Sequence, residues 1–159
     1  MVGFDFSVAE PKVFFFGYLT SDVSVSAAAT WEDLHWTGVQ KGGITHTLGT
    51  QNIYINTTGL YLVSLHVVYS CDTVGHRLLL RTRYTVSGGA TINATPLRGA
   101  AGSTDATAAS TVSFPAKLYN FTKGGLIVFQ AYHADVLDTS LAYKDLYTSC
   151  TIVLVRRGL

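Results

Sequence analysis

Charge is scarce in this sequence. Only 13% of its 159 residues are Asp, Glu, Lys or Arg, whereas about 25% is usual in a soluble domain. The 11 basic and 10 acidic residues give a net charge of +1. Because a nucleic-acid-binding domain carries a clear excess of Lys and Arg, this balance argues against a nucleic-acid partner. So little surface charge is instead typical of a protein that neighbouring chains cover.

Long apolar segments and cysteines are scarce too. The most apolar stretch, residues 60–69, is interrupted by Ser64 and His66. It is shorter than the roughly 18 residues of a membrane-spanning helix, so we predict no membrane contact. The N-terminus lacks the positive charge and apolar core of a signal peptide, and we expect none. Two cysteines, Cys71 and Cys150, are too few for a disulfide framework or a four-ligand metal site, so we expect buried free thiols, with one long-range disulfide as the alternative.

Catalytic and cofactor motifs are also missing. The chain contains neither the Gly-x-Ser-x-Gly elbow of hydrolases nor a phosphate-binding loop that ends in Gly-Lys-Ser/Thr. Its only glutamates are Glu10 and Glu32. We therefore predict no enzyme, no cofactor and no metal site. Asp135 and Asp138 follow His133 and offer the oxygen ligands that calcium prefers, but a solvated loop is the favoured interpretation.

The residues that are abundant predict an all-β domain. Val, Ile, Thr, Tyr and Phe favour strands, and turn-forming clusters rich in Gly separate them at short intervals. About eight to ten short strands without a helix suggest a two-sheet antiparallel sandwich or jelly roll over residues 12–159. Residues 1–11 form a predicted N-terminal arm that ends at Pro11, and Pro115 predicts a sheet edge or a bulge. The clearest predicted strands cover residues 12–19, 51–56, 59–71, 77–86, 109–121, 126–133 and 147–155.

The strand at residues 59–67, Gly-Leu-Tyr-Leu-Val-Ser-Leu-His-Val, is similar to a strand of a known family. With its lead-in Ile-Tyr-Ile-Asn-Thr-Thr, it resembles the Gly-aromatic strand of the trimeric jelly roll shared by tumour necrosis factor and the globular heads of the first complement component. The resemblance implies a two-sheet antiparallel jelly-roll sandwich that forms a homotrimer. The resemblance covers residues 12–157 and includes the first strand at 14–19, the Trp-containing segment at 30–37, the corner at 123–127 and the last strand at 151–155. The sequence departs from the family at Gly125, because the family's corner usually carries Asp at this position.

The predicted strand at residues 59–71 carries large apolar side chains on both faces. In a lone two-sheet sandwich one face of each sheet meets water, so such a strand needs a partner on its outer face. We assign its odd-numbered residues to the core and its even-numbered residues to a subunit contact. The resemblance implies the same, because the family's corresponding strand lines a three-fold axis. The predicted trimer contact consists of Leu60, Leu62, Ser64, His66 and Val68, and the resemblance adds Phe114 as a further axis aromatic.

Two groups of side chains leave alternatives open. Three copies of His66 near an axis could bind an anion or a metal ion, although a histidine that hydrogen-bonds at the interface is the favoured interpretation. Three arginines and a leucine alternate along one predicted strand and share a face. A plain solvated face is favoured over a surface that meets an acidic partner. The residues of this face are Arg77, Leu79, Arg81 and Arg83.

Two functions remain after enzymes are set aside. The first is a virion structural protein, a decoration or cement trimer on a viral (bacteriophage) capsid that binds the major capsid protein. The low charge, the lack of a stalk sequence and the arm favour it, since Phe4, Phe6 and Val8 alternate like an added strand and form the predicted contact. The alternative is a receptor- or glycan-binding head, at a fibre tip or in the extracellular space, because a fold does not fix a function.

Overall fold

The computed structural model of the chain describes residues 12–24, 30–70, 78–85, 89, 91–93, 110–133, 142–143 and 148–158. The regular elements in these residues are all β-strands, as the composition predicts. No helix in these ranges is long and apolar enough to cross a membrane. In chain order the strands are β1 (Phe14–Tyr18), β2 (Val23–Ser24), β3 (Trp31–Asp33), β4 (Gly38–Gly42), β5 (Ile44–His46), β6 (Ile53–Ile55), β7 (Gly59–Ser70), β8 (Leu78–Thr85), β9 (Thr91–Asn93), β10 (Ser110–Phe121), β11 (Leu126–His133), β12 (Ala142–Tyr143) and β13 (Ser149–Arg157).

The strands pair into two antiparallel sheets. In the first sheet neighbouring strands follow the order β10, β7, β13, β1, β4, and β12 and β2 extend it beside the C-terminal end of β7. In the second sheet the order is β5, β6, β11, β8, β9, and β3 pairs with β11 as well. The long strands alternate between the sheets along the chain, since β7, β10 and β13 lie in the first sheet and β8 and β11 in the second. This is the chain path of a jelly-roll sandwich.

The core lies between the two sheets and is packed around β7. The side chains at its odd-numbered positions, Tyr61, Val63, Leu65, Val67 and Tyr69, are at most 1% exposed. The predicted core face of this strand is therefore confirmed. Other large side chains of the core that are almost fully buried are Phe15, Leu19, Trp36, Ile53, Ile55, Leu78, Leu80, Ile127 and Phe129.

Two glycines permit the start of β7 and the turn beside it. A Cβ on Gly59 would lie 2.5 Å from the carbonyl oxygen of Arg156, so glycine lets β7 begin close to the bulge near the end of β13. Gly124, in the turn between β10 and β11, has a φ of 83°, which strains any residue with a Cβ. Its N–H donates to the carbonyl oxygen of Ile55 at 2.8 Å and so ties this turn to β6. The turn that the sequence predicts at residues 123–125 is confirmed.

Pro115 and the two tryptophans can also be compared with the sequence pattern. The register between β10 and β7 shifts between Phe114 and Lys117, so the bulge predicted at Pro115 is confirmed. Trp31 and Trp36 are an odd number of residues apart, which predicts opposite faces on one straight strand. They do not share a strand, because β3 ends at Asp33 and Trp36 forms an isolated bridge with Thr50. Trp36 is fully buried in the core, whereas Trp31 is half-buried on the outer side of the second sheet.

Other strands differ from the sequence pattern. Strand β4 has the polar sequence Gly-Val-Gln-Lys-Gly, whose propensity for strands is low. It forms because it pairs with β1 along its whole length, from Gly38 opposite Tyr18 to Gly42 opposite Phe14. The last strand begins at Ser149 and continues to Arg157, past the predicted end at residue 155, because it pairs with β7 as far as Gly59. Pairing with neighbouring strands thus determines that β4 forms and where β13 ends.

Cys150 is a free thiol in the core of the first sheet. It lies between Gly17 of β1 and Leu65 of β7 and is 1% exposed. The predicted buried free thiol is confirmed for this residue, while Cys71 lies outside the described residues. Burial raises the pKa of the Cys150 thiol well above its usual range, and a backbone hydrogen bond with Gly17 opposes this rise only in part.

We expect Cys150 to react with dithionitrobenzoate only when the chain opens. In a Cys71→Ser variant, Cys150 is the single thiol, and its labelling at neutral pH should be on the order of a thousandfold slower in the native than in the denatured protein. The reason is that burial both removes the thiolate and blocks access. Absorbance kinetics with and without guanidinium measure the two rates. Similar rates in both conditions would show that the thiol is not enclosed.

Candidate functional site

The outward face of the first sheet is the candidate functional site. Along β7 the even-numbered residues point away from the core, and Leu62 at the middle of this side is 38% exposed. Residues directly opposite on neighbouring strands share a face, so the strand register extends this side across the sheet. We name it the β7 face. Its central members are Leu60, Leu62, Ser64 and His66 on β7 and Phe14, Phe16, Ser113, Leu118, Ser149, Thr151 and Val153 on the strands beside it. Arg156 and Asn120 lie opposite Leu60 at one end of the face, and Tyr18 lies opposite Ser149 at the other.

Four apolar side chains form a row straight across the β7 face. Leu118 of β10 and Val153 of β13 lie opposite Leu62 on its two edges, and Phe14 of β1 lies opposite Val153. Leu118 is 53% exposed and Val153 is 37% exposed. We name these four residues the apolar row. Contiguous exposed apolar side chains of this kind mark a surface that contacts another molecule.

A polar row crosses the same face further along β7. His66 lies between Ser113 of β10 and Ser149 of β13. Its Nδ1 is 2.8 Å from the hydroxyl oxygen of Ser113, within hydrogen-bond distance. Ser64 and Thr151 lie opposite each other between the two rows. The β7 face therefore changes from apolar to polar along the strand.

The predicted contact residues of β7 do not contribute equally. Leu60, Ser64 and His66 are half-buried, and Leu62 is exposed. Val68 lies on the same side of the strand, but it is 8% exposed and offers little surface to another chain. Four of the five predicted residues on this strand therefore remain available for a contact.

Phe114 does not lie on the β7 face, in contrast to the expectation from the resemblance. It lies opposite Leu65, a core residue, and is 2% exposed. The bulge between Phe114 and Lys117 reverses the alternation along β10, so Leu118 reaches the β7 face although it is an even-numbered residue like Phe114. We therefore leave Phe114 out of the candidate contact.

Two other predicted sites lie outside the described residues. Phe4, Phe6 and Val8 of the arm and the pair Asp135 and Asp138 belong to segments that the structure does not describe. The capsid contact and the calcium alternative thus stay predictions. Within the part of the chain that is described, no three His, Cys, Asp or Glu side chains come together as they would around a metal ion.

The arginines of β8 lie on a different face, on the outer side of the second sheet. Arg81, Arg83 and Leu79 are half-buried there, while the residues between them are buried, so their predicted shared face is confirmed. Arg77 lies outside the described residues. Burial and then the neighbouring Arg83 lower the pKa of Arg81, whereas Asp33 raises it.

Sequence reasoning missed three members of the apolar row, Phe14, Leu118 and Val153. The segments around Phe14 and Val153 are apolar on both faces, so alternation cannot tell which side meets the core. The pairing register aligns them with Leu62, and this register is a property of the folded sheet. These segments, like β7, carry more apolar residues than one buried face needs, and this excess is the sequence signal that could have indicated an apolar outer face.

Comparisons with known proteins identify the fold. No protein-family model matches the chain, and no curated protein matches its sequence. Among solved structures, Eiger TNF from S. frugiperda is similar with a TM-score of 0.67 and 12% identity, over 94% of this chain and 96% of that chain. Murine APRIL at pH 8.0 is similar with a TM-score of 0.64 and 13% identity, over 92% of this chain and 100% of that chain. The predicted two-sheet antiparallel jelly roll, with a fold like that of tumour necrosis factor, is confirmed.

We expect Phe114→Ala to lower the free energy of unfolding by about 3–5 kcal/mol, because it removes an aromatic side chain from the core. Leu48→Ala is the control, since Leu48 lies in the turn between β5 and β6 and is 63% exposed. It should change stability by less than about 0.5 kcal/mol. Urea titration followed by tryptophan fluorescence measures both. Unchanged stability of the Phe114→Ala protein would contradict the core position.

Proposed function

We propose that the protein is a non-enzymatic binding module that acts as a homotrimer, with the β7 face as the contact between subunits. The apolar row carries this proposal, because a strand that is paired on both edges leaves Leu62 exposed between the apolar Leu118 and Val153. Covering such a row with another apolar surface is favourable, because it removes apolar area from water.

A second copy of the same chain is the occupant that fits the β7 face. Neither the apolar row nor the polar row contains Asp, Glu, Lys or Arg. Identical copies can therefore bring these two rows together without placing like charges against each other, while Arg156 lies at the end of the face opposite Leu60. The low overall charge of the chain supports the same conclusion. The similarity to a tumour necrosis factor fold supports three subunits, as the resemblance of the sequence implies.

We further propose that the trimer recognises a receptor or a glycan outside the cell. The similarity of the fold to tumour necrosis factor and APRIL supports this alternative of the two functions that the sequence leaves open. The decoration or cement trimer on a viral capsid is the second candidate. The alternation of Phe4, Phe6 and Val8 in the arm favours it, since such a segment can add a strand to the major capsid protein.

Leu62→Asp should split the trimer. Three unpaired carboxylates would be buried in the contact, each at a cost of several kcal/mol. Sedimentation equilibrium should give about three times 17.1 kDa for the unmodified protein and 17.1 kDa for the variant, with the far-ultraviolet circular dichroism of β-structure kept.

Leu48→Asp is the matched control for this experiment. It introduces the same charge at a position that is 63% exposed in a turn of the second sheet, so the trimer should persist. A Leu62→Asp protein that stays trimeric would remove the β7 face from the contact. Dissociation by both variants would point to a general effect of charge.

Deletion of residues 1–10 distinguishes the two candidate partners. The described strands begin at Phe14, so the truncated chain should fold and melt close to the temperature of the full chain. If the protein decorates a capsid, the truncated chain should bind less tightly to particles from which the native protein has been removed. The loss should be about 2–4 kcal/mol per subunit, because Phe4 and Phe6 are no longer buried on binding. Three arms per trimer multiply this loss through avidity. Equal occupancy with and without the arm would exclude the arm from attachment. A truncated chain that cannot fold would assign the arm to the domain.

A further inference from the structure

Three polar side chains lie side by side on the outer face of the second sheet. Gln130 of β11 lies opposite Arg81 of β8 on one edge and opposite Asp33 of β3 on the other. Directly opposite residues point to the same face, so these side chains form a row across three strands. On the same face, Trp31 lies opposite Tyr132 beside this row.

Hydrogen bonds join this row into a network. Arg81 Nε donates to Gln130 Oε1 at 2.7 Å, and Gln130 Nε2 donates to Asp33 Oδ1 at 2.5 Å. Arg83 Nη2 donates to the other carboxylate oxygen of Asp33 at 3.3 Å. Gln130 is only 3% exposed. Because this buried amide uses both of its ends, it fixes the positions of Arg81 and Asp33.

Trp31 holds the guanidinium group of Arg81 from a second direction. The central carbon of this group lies 3.9 Å from the centroid of the Trp31 ring, in a cation–π contact. The ring of Tyr132 lies 5.4 Å from that of Trp31 and supports it. An arginine that is already held in place loses less conformational freedom on binding a ligand than a mobile one does.

The network carries more positive than negative charge. Arg81 and Arg83 contribute two guanidinium groups, and Asp33 is the carboxylate that bonds within the network. Glu32, its neighbour on β3, alternates to the other side of the strand. The Nε–H of Arg81 donates to the glutamine, so the two Nη groups form the edge of the guanidinium that a carboxylate ligand would bind.

We propose that this guanidinium–aromatic surface binds an acidic segment of a protein partner through its Asp or Glu side chains. The surface consists of Trp31, Arg81, Arg83, Gln130 and Tyr132. Arg, Trp and Tyr are enriched at the energetic centres of protein interfaces. The planar guanidinium group binds a carboxylate through two parallel hydrogen bonds, which gives the partner a defined position. This inference deepens the proposed function, because it names the chemistry of the partner that the binding module recognises.

The test uses the full chain and an immobilised acidic peptide, acetyl-Glu-Asp-Tyr-Glu-Asp-Tyr-amide. A peptide with Gln and Asn in place of Glu and Asp is the neutral control, and tetragalacturonate is the competitor that represents an acidic sugar. We expect binding to the acidic peptide alone. Arg81→Gln should weaken it about tenfold or more, since hydrogen bonds to a charged group are lost. Arg81→Lys should weaken binding as well, because lysine keeps the charge but lacks the two parallel N–H donors of the guanidinium group.

Lys123→Gln is the matched control, because it removes the same charge from an exposed turn between β10 and β11. It should change the affinity by less than about twofold. If Arg81→Gln does not fold, Arg83→Gln tests the same surface.

Four outcomes would overturn the proposal: no binding of the acidic peptide, equal binding of both peptides, equal loss in Arg81→Gln and Lys123→Gln, or tighter binding of tetragalacturonate than of the peptide. The last outcome would replace the protein partner by an acidic glycan. Sedimentation of the same samples separates this inference from the trimer. A trimer that ignores the peptide refutes the surface alone, whereas a monomer that binds it refutes the trimer alone.

Discussion

A long strand with apolar side chains on both faces, β7, is the constraint on which the rest of the structure depends. Its odd-numbered side chains are buried between the sheets, and its edges are hydrogen-bonded to β10 and β13. Only its outward face remains, and that face carries Leu62 in line with apolar residues of the neighbouring strands. Among the residues that the structure describes, no further layer covers this face, and we propose that another chain does so. The same sequence pattern thus underlies the fold and the proposed self-association.

The two outer faces of the sandwich have different chemistry. The β7 face is apolar and uncharged in its exposed row, whereas the outer side of the second sheet carries the linked side chains of Arg81, Gln130 and Asp33. An uncharged apolar row suits contact between identical chains, and a fixed guanidinium group suits a ligand of opposite charge. Because the two faces lie on opposite sides of the core, subunit contact through the first sheet leaves the second accessible. The proposed trimer and the proposed partner surface are therefore compatible.

The sequence predicts the fold well where apolar and polar residues alternate clearly. It predicts the fold less well where pairing between strands determines which side a residue faces. The core face of β7, the bulge at Pro115 and the burial of Cys150 all follow from residue type and period. Phe114 shows the limit, since the bulge next to it reverses the alternation of β10 and moves Leu118 to the outer face. Alternation places Arg81 on the outer side of its strand, but the contacts with Gln130 and Trp31 join segments far apart in the chain. Such contacts depend on tertiary pairing, which no local pattern encodes.

The central claim is that copies of the chain cover the β7 face in threes. Sedimentation equilibrium of the unmodified protein, over a range of micromolar concentrations, tests it most directly. The account predicts a single species of about three times 17.1 kDa whose mass does not depend on concentration. A stable soluble species of 17.1 kDa throughout that range would contradict it, because the apolar row would then be exposed to water in the working protein.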